Sequence, residues 1–166
     1  MLSDDDLARR SAAELFALYR SILRELRRRG VVRTENAPAG DYAEFLVATA
    51  LAGSLAANSE KSYDVIAEGR RLQVKCRVVS DRSRVGQLQL SPFRSFDFDD
   101  AIIVLLSDED YSVRQATRVP VELIRATARF SGHVNGHIVH SRPSLLNSPG
   151  TEDLTGRTGY AAPTGG

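Results

Sequence analysis

The sequence has little of the chemistry that would tie it to a membrane or to an oxidising compartment. It contains one cysteine, Cys76, one methionine and no tryptophan. A single cysteine excludes an intramolecular disulfide. No apolar run reaches the roughly 20 residues that a membrane-spanning helix needs, and the acidic start MLSDDDLARR differs from the basic and then apolar start of a secretory signal. We therefore expect a cytoplasmic protein without a membrane partner.

The chain also has little net charge, but its charges are unevenly distributed. The formal net charge is +1, from 22 basic and 21 acidic residues. Residues 97–110 contain six acids and no base, whereas residues 61–84 contain seven basic residues and three acids. This separation predicts one positive face, the alternative being a solvated mixed surface. The basic residues of that stretch are Lys61, Arg70, Arg71, Lys75, Arg77, Arg82 and Arg84.

The length of 166 residues fits a single domain. Apolar residues at steps of three and four predict an amphipathic helix over residues 4–29. The apolar stretch DYAEFLVATALAG predicts a buried helix over residues 41–52. We expect the domain to span residues 1–146, with its core over 39–146. The Gly-, Thr- and Pro-rich residues 147–166 show no periodicity and predict a flexible or disordered tail.

Strand signals dominate the middle of the chain. A hairpin is predicted with strands at 62–67 and 71–79 and a turn at Glu68-Gly69, followed by a short strand in QLQLSPF that Pro92 ends. The apolar run DDAIIVLLSD predicts a central strand, and YSVRQATRV its neighbour. PVELIRATARF predicts a helix with proline at its first position, and HVNGHIV an Asn-Gly hairpin. The order of elements predicts an α/β fold with a central mixed β-sheet flanked by helices.

The predicted 62–79 hairpin gathers polar groups on one face. If Glu68 and Gly69 are the two turn residues, Asp64 pairs directly with Gln73, and Lys75 lies on the same face. Oxygen ligands that include a carboxylate suit Mg²⁺ or Mn²⁺. A neighbouring lysine can orient water or neutralise the charge of a phosphate. This combination is typical of phosphodiester hydrolysis.

A second acid, Glu44, lies on the predicted buried helix that precedes the hairpin. That helix is expected to pack on the same sheet, which makes Glu44 a candidate member of the site. Asp41 and Glu44 also have the spacing of a capping box, in which Glu44 bonds back to the helix start. The sequence leaves both interpretations open.

Asp64, then Gln73-Val74-Lys75, preceded by a helical Glu44, resembles the PD-(D/E)XK nuclease superfamily, which has the restriction-endonuclease-like fold. The resemblance covers roughly residues 39–106, and the whole chain also looks like uncharacterised bacterial proteins with this core. It implies Mg²⁺- or Mn²⁺-dependent endonuclease hydrolysis of DNA. It also implies that Asp64 is the bridging metal ligand, that Gln73 takes the second acidic position and the Val74 carbonyl is a backbone ligand, and that Lys75 is the catalytic lysine and Glu44 the accessory acid.

This chain departs from the superfamily pattern at two positions. Tyr63 precedes Asp64 where the motif has proline, and Gln73 is neutral where the motif usually has a carboxylate. The neutral amide removes one negative charge, so metal binding is expected to be weaker. A catalytically decayed nucleic-acid-binding or protein-interaction module on the same fold is therefore the alternative function. A homodimer formed through the apolar stripe of the 4–29 helix is a further possibility.

The other polar residues of the sequence also allow a functional and a structural interpretation. The basic residues Lys61, Arg70, Arg71, Arg77, Arg82 and Arg84 are candidate phosphate-binding residues, since backbone contacts supply most nonspecific affinity for nucleic acids. The alternative is edge-strand charge that discourages aggregation. The three histidines, His133, His137 and His140, are not expected to bind metal, because at most two of them share a face of the predicted hairpin. Cys76 is expected on the apolar face as a small buried side chain.

Overall fold

The computed structural model describes residues 2–28, 39–57 and 59–159. Its helices are α1 (Asp4–Ala8), α2 (Ala12–Arg28), α3 (Ala39–Ala50), α4 (Val121–Thr127), α5 (Pro143–Leu146) and α6 (Thr155–Thr158). Its strands are β1 (Ser54–Leu55), β2 (Val65–Ala67), β3 (Arg70–Val79), β4 (Asp100–Ser107), β5 (Val113–Pro120), β6 (Arg129–Ser131), β7 (Gly136–Ile138) and β8 (Glu152–Asp153). A 3-10 helix covers Val85–Leu88.

A six-stranded mixed sheet in the order β1-β2-β3-β4-β5-β8 organises the chain. β3 and β4 run parallel, and every other neighbouring pair is antiparallel. Strand β4 is buried along its whole length, because both faces of the sheet are covered there. The predicted α/β class, the central strand β4 and its neighbour β5 are confirmed.

Two hydrophobic clusters cover the two faces of the sheet. One is formed with α3, and it takes Leu72, Val74, Cys76 and Val78 from β3. The other includes the connection between β3 and β4 together with α4 and α5. Since side chains alternate along a strand, Gln73 and Lys75 belong to the face opposite α3. The predicted division of this hairpin into an apolar face and a polar face is therefore confirmed.

The predicted continuous helix over residues 4–29 is wrong, because the structure divides it into α1 and α2. Ser11 starts the second helix: its Oγ accepts a hydrogen bond from the Glu14 backbone N–H at 3.2 Å, and its own backbone N–H donates to the Glu14 carboxylate at 2.7 Å. This reciprocal capping box fixes a helix start within a sequence whose apolar periodicity runs through it. Residue 29, the predicted end, lies outside the described residues.

Helix α2 packs against the rest of its own chain. Part of the apolar stripe that could have formed a dimer is therefore covered within the monomer. Phe16 lies against Tyr42, with ring centroids 4.0 Å apart. Arg20 is 1% exposed, and its Nε donates to the Asp108 carbonyl oxygen at 2.5 Å. Leu15 and Ile22 remain exposed. Among the described helices, none is both long and apolar enough to cross a bilayer.

Three shorter elements differ from the sequence predictions. QLQLSPF does not form a strand; the 3-10 helix ends at Leu88, and the segment beyond it makes only isolated bridges, from Gln89 to His140 and from Phe93 to His137. Proline at position 92 has no N–H for a continuous ladder. Helix α4 begins at Val121, so Pro120 is the last residue of β5 and not the first residue of the helix. The β6–β7 hairpin is confirmed, but its turn occupies residues 132–135, with Asn135 in the left-handed region at φ 47°.

The predicted disordered tail is wrong for residues 147–159. Strand β8 pairs antiparallel with β5, and α6 follows it. Leu154 is fully buried, and Thr158 is 1% exposed. Leu154, the pairing with β5, hydrogen bonds of Thr155 and Thr158 and the Arg118–Glu152 ion pair hold the segment. Its apolar content is too small for a periodicity argument to detect. Residues 160–166 lie outside the described part of the chain.

Candidate functional site

The β2–β3 hairpin has the register that places Asp64 opposite Gln73. Glu68 and Gly69 form its turn with φ of 55° and 70°, and both central residues of a type I′ turn require positive φ. Val65 pairs with Leu72 and Ala67 with Arg70. The predicted turn and register are confirmed, although β2 begins at Val65 and is shorter than predicted.

Asp64 lies immediately before β2 and accepts two hydrogen bonds on one oxygen. Its Oδ2 is 2.6 Å from Gln73 Nε2 and 2.7 Å from the Val74 backbone nitrogen. The N–H and C=O of a strand residue point to the same side of the strand. The Val74 carbonyl oxygen therefore points toward the side of Asp64, beyond the start of β2. The predicted partners Asp64, Gln73 and Val74 do meet.

Lys75 lies next to this group, but it is half-buried rather than exposed as predicted. Its Nζ donates to Ser91 Oγ at 3.2 Å and to the Pro92 carbonyl oxygen at 3.1 Å, and it sits 4.8 Å from the centroid of the Phe93 ring. Burial lowers the pKa of Lys75; the nearby Asp64 charge opposes this shift, and Arg94 adds to it. A lysine with a lowered pKa exchanges protons more readily near neutral pH.

Glu44 lies on α3, which covers the opposite face of the sheet from Gln73 and Lys75, and its link to Asp64 is electrostatic. Burial, followed by the negative charges of Asp64 and Asp41, raises the pKa of Glu44 to about 7. Asp41 lies inside α3, which extends back to Ala39. Within the described residues, the Glu44 side chain makes no hydrogen bond to the Asp41 backbone. The capping-box interpretation of Glu44 is therefore not realised.

The pKa of Asp64 is also raised by burial. The hydrogen bond from the Val74 N–H, the Lys75 charge and the Gln73 amide act against the increase. The pKa values of Glu44 and Asp64 are therefore both raised. Their negative charges are not fully balanced by neighbouring positive charges or hydrogen-bond donors. Such perturbed groups cluster at functional sites.

The donor set at this point fits a hard divalent cation, with one weakness. The Asp64 and Glu44 carboxylates, the Gln73 amide oxygen and the Val74 carbonyl are the oxygen types that Mg²⁺ and Mn²⁺ bind. In the part of the chain that is described, the Oδ1 atom of Asp64 accepts no hydrogen bond. Over the same residues, however, no group of three or more His, Cys, Asp or Glu side chains is placed to hold a metal. Gln73 is a neutral amide and so adds no carboxylate to such a group.

The raised pKa of Glu44 predicts a pH-dependent stability. The folded protein holds this proton up to a pH of about 7, whereas the unfolded chain releases it near 4.5. Folding is therefore less favoured as the pH rises between those values. Glu44→Gln should remove this loss and gain about 1–2 kcal/mol over the wild type between pH 5 and pH 8, allowing for solvent screening of a half-buried group. Urea unfolding at the two pH values measures it.

Glu122→Gln is the matched control for that measurement, because Glu122 is an exposed glutamate on α4. It should leave the pH dependence of the wild type unchanged. A Glu44→Gln protein whose unfolding free energy follows the wild type from pH 5 to pH 8 would contradict the assignment of the titration to Glu44.

The candidate phosphate-binding residues are placed in two different settings. Arg70 makes a bidentate ion pair with the buried Asp100, at 2.6 and 3.0 Å, and Arg71 bonds to Asp97 at 2.8 Å. Arg77 donates to the Gln87 carbonyl oxygen at 2.7 Å. The edge-strand alternative does not apply to Arg70 and Arg71, because β3 lies inside the sheet. Lys61, Arg82 and Arg84 are exposed, as is Arg70 despite its ion pair with Asp100.

The acids Asp97, Asp99 and Asp100 therefore form ion pairs with Arg70 and Arg71, which makes these two arginines less available to a phosphate.

The histidines lie in different surroundings. His133 is exposed in the β6–β7 turn, and His137 lies against Phe96 and Phe130. Cys76 lies on the α3 side of the sheet, where burial raises its pKa to about 12.

Sequence reasoning missed the residues that hold Lys75. Ser91, Pro92 and Phe93 lie in the middle of the connection between β3 and β4, and they contact Lys75. The only available signal was the predicted short strand in QLQLSPF, which placed this segment near the sheet without indicating its contact with Lys75.

No protein-family model matches the chain, and no curated protein matches its sequence.

Proposed function

We propose that this protein is a metal-dependent nuclease that hydrolyses phosphodiester bonds of DNA, with a site of the PD-(D/E)XK type. The observation that supports this most is the contact of Asp64 with both Gln73 and the Val74 backbone, beside Lys75. This contact joins Asp64, Gln73 and Val74, and the charge of Asp64 also raises the pKa of Glu44, a second carboxylate.

In this proposal, Asp64, Glu44 and the Val74 carbonyl oxygen would hold one Mg²⁺ or Mn²⁺, and Gln73 would fix the orientation of the Asp64 carboxylate through its hydrogen bond. When bound, such an ion polarises a phosphoryl oxygen and lowers the pKa of a bound water. Lys75 is held by Ser91 and Pro92. Its ammonium group neutralises charge on the phosphate or exchanges a proton with the attacking water. Burial of Lys75 lowers its pKa and so favours the second role.

The direct test is cleavage of supercoiled plasmid DNA and of labelled oligonucleotides by the purified protein. We expect nicking or cutting with Mg²⁺ or Mn²⁺ and none with EDTA, and a matched RNA oligonucleotide distinguishes the two nucleic acids. Mn²⁺ should support more activity than Mg²⁺, since a site with fewer charges favours the divalent ion with the higher intrinsic affinity. Absence of cleavage of every substrate with both metals would contradict the proposal.

A second candidate function is a nucleic-acid or protein-interaction module on the same fold. It is favoured by the hydrogen bond between Gln73 and Asp64. This bond partly satisfies the carboxylate without a metal ion, as a decayed site would need.

Gln73→Glu separates these two candidates. The substitution replaces the N–H donor at 2.6 Å with a carboxylate. The apparent melting temperature in EDTA should therefore fall by several degrees, equivalent to about 1–3 kcal/mol. If the site binds metal, millimolar Mg²⁺ should restore more stability to Gln73→Glu than to the wild type. Thermal unfolding across a Mg²⁺ titration measures both effects.

Gln73→Met is the control for that titration, since it removes the amide without adding charge. It should lose stability in EDTA and gain nothing specific from Mg²⁺. Equal responses of the Gln73→Glu and Gln73→Met proteins to Mg²⁺ would favour the decayed module over the nuclease.

A further inference from the structure

A polar concavity separate from the Asp64 residues lies on the side of the sheet that carries Lys75, between the end of α4, the β6–β7 hairpin and α5. It encloses about 440 Å³, within the range of ligand-sized pockets in proteins. Ile138 and Leu145 contribute apolar surface, and Gln89, His140, Arg129 and Arg142 contribute polar groups. None of its lining residues is an aspartate or a glutamate.

Among the described residues, no acidic side chain neutralises the two arginines of this cleft. Within the described residues, the guanidinium groups of Arg129 and Arg142 make neither an ion pair nor a hydrogen bond. Most other arginines of the sheet are neutralised, as Arg70 is by Asp100 and Arg118 by Glu68 and Glu152. Two uncompensated guanidinium groups therefore face one cavity, with an imidazole and an amide beside them.

This chemistry selects a phosphate group. Arginine presents N–H donors in a planar fork that matches the oxygens of a phosphate, and the histidine and glutamine side chains add further donors. We propose that this cleft binds a phosphate group, carried either by a free nucleotide or by the backbone of a nucleic acid. The volume accommodates more than an inorganic ion, and the apolar surface from Ile138 and Leu145 gives a base or sugar something to pack on.

The cleft is connected to Lys75 by a short piece of chain. Gln89 lines the cleft and bridges to His140, while Ser91 and Pro92 bond to Lys75 Nζ. The two residue steps from Gln89 to Ser91 span at most about 7 Å. Phosphate binding in the cleft does not depend on the proposed nuclease activity. A nucleic-acid phosphate seated there would, however, place the same strand near Lys75.

The test is a binding measurement in EDTA, so that metal-dependent cleavage plays no part in it. Inorganic phosphate, a nucleoside 5′-monophosphate and a fluorescent single-stranded oligonucleotide are titrated in turn, by calorimetry or by anisotropy. We expect saturable binding that Arg129→Gln and Arg142→Gln each weaken about tenfold, the usual loss for a charge-assisted contact. Arg125→Gln removes the same charge from α4 outside the cleft and should stay within about twofold.

Both substituted arginines are exposed, so the variants are expected to fold, and their unfolding midpoints check this. Competition identifies the source of the phosphate. An oligonucleotide without terminal phosphates that competes with the nucleotide indicates a nucleic-acid backbone, whereas competition by nucleotides alone indicates a small ligand. Absence of saturable binding by all three probes, or equal weakening by Arg125→Gln, would overturn the proposal.

Discussion

Lys75→Met is expected to lower the rate of metal-dependent DNA cleavage by at least about 100-fold, the lower end of what a positioned acid–base group contributes. Lys75 is the only ammonium group that the structure places beside Asp64 among the described residues. Methionine has nearly the same length and fills the space over the Phe93 ring, while it removes the charge. Single-turnover cleavage at saturating Mn²⁺ measures the chemical step apart from metal affinity.

The partial burial of Lys75 changes how this variant must be controlled. Its Nζ bonds to Ser91 and Pro92, so substitution removes two contacts as well as a charge. The unfolding free energy should nevertheless change by only about 1 kcal/mol, because a partly desolvated ammonium is lost together with its hydrogen bonds. Lys75→Arg, which keeps the charge and the donors, should retain stability and fall between the wild type and Lys75→Met in rate. Cleavage by Lys75→Met at the wild-type rate would exclude this lysine from the chemistry.

Gly53→Ala is expected to destabilise the fold by about 2–3 kcal/mol, the usual cost of forcing an atom into packed structure. Gly53 lies between α3 and β1, where the chain passes close to β2. A Cβ atom there would lie 2.6 Å from the Ile66 carbonyl oxygen and 2.7 Å from the Ala67 Cβ. The backbone of β2 cannot shift to make room for the new methyl group, whereas the end of a long side chain could. Because β2 follows Asp64 directly, the strain should also reduce cleavage.

Gly40→Ala makes the same chemical change in the opposite setting. Gly40 lies in α3, and an added Cβ would meet no described atom within 4 Å. Alanine should stabilise the helix by about 0.5 kcal/mol through its better propensity. Urea unfolding of the two variants should therefore give changes of opposite sign. Equal changes would show that the close approach of β2 to Gly53 does not govern its substitution.

The sequence predicted the local geometry of the candidate site well. The Glu68-Gly69 turn sets the register, and the register alone brings Asp64 opposite Gln73 with Lys75 on the same face. The apolar run of β4 predicted its central position for a similarly local reason, since a strand covered on both faces lacks alternation. These inferences depend on neighbours in the chain, which is why they needed no tertiary information.

The sequence did not predict contacts between residues far apart in the chain, or features that depend on one or two side chains. Ser91 reaches Lys75 across a crossover, and nothing in its surroundings marks it as a partner. The division of the N-terminal helix depends on one serine and one glutamate, Ser11 and Glu14, whose capping overrides a continuous apolar periodicity. The burial of Lys75 was missed because alternation predicts the face of a strand residue and not what covers that face.

Strand β8 is short, yet it is the outermost strand of the sheet on the side of β5. A recombinant fragment that stopped at residue 146 would remove it together with Leu154. It would leave the amide and carbonyl groups along β5 open to solvent and would uncover the buried Ala116 beside them. Open strands of this kind recruit further chains. Such a fragment should precipitate or form oligomers under conditions in which the full-length protein stays dispersed.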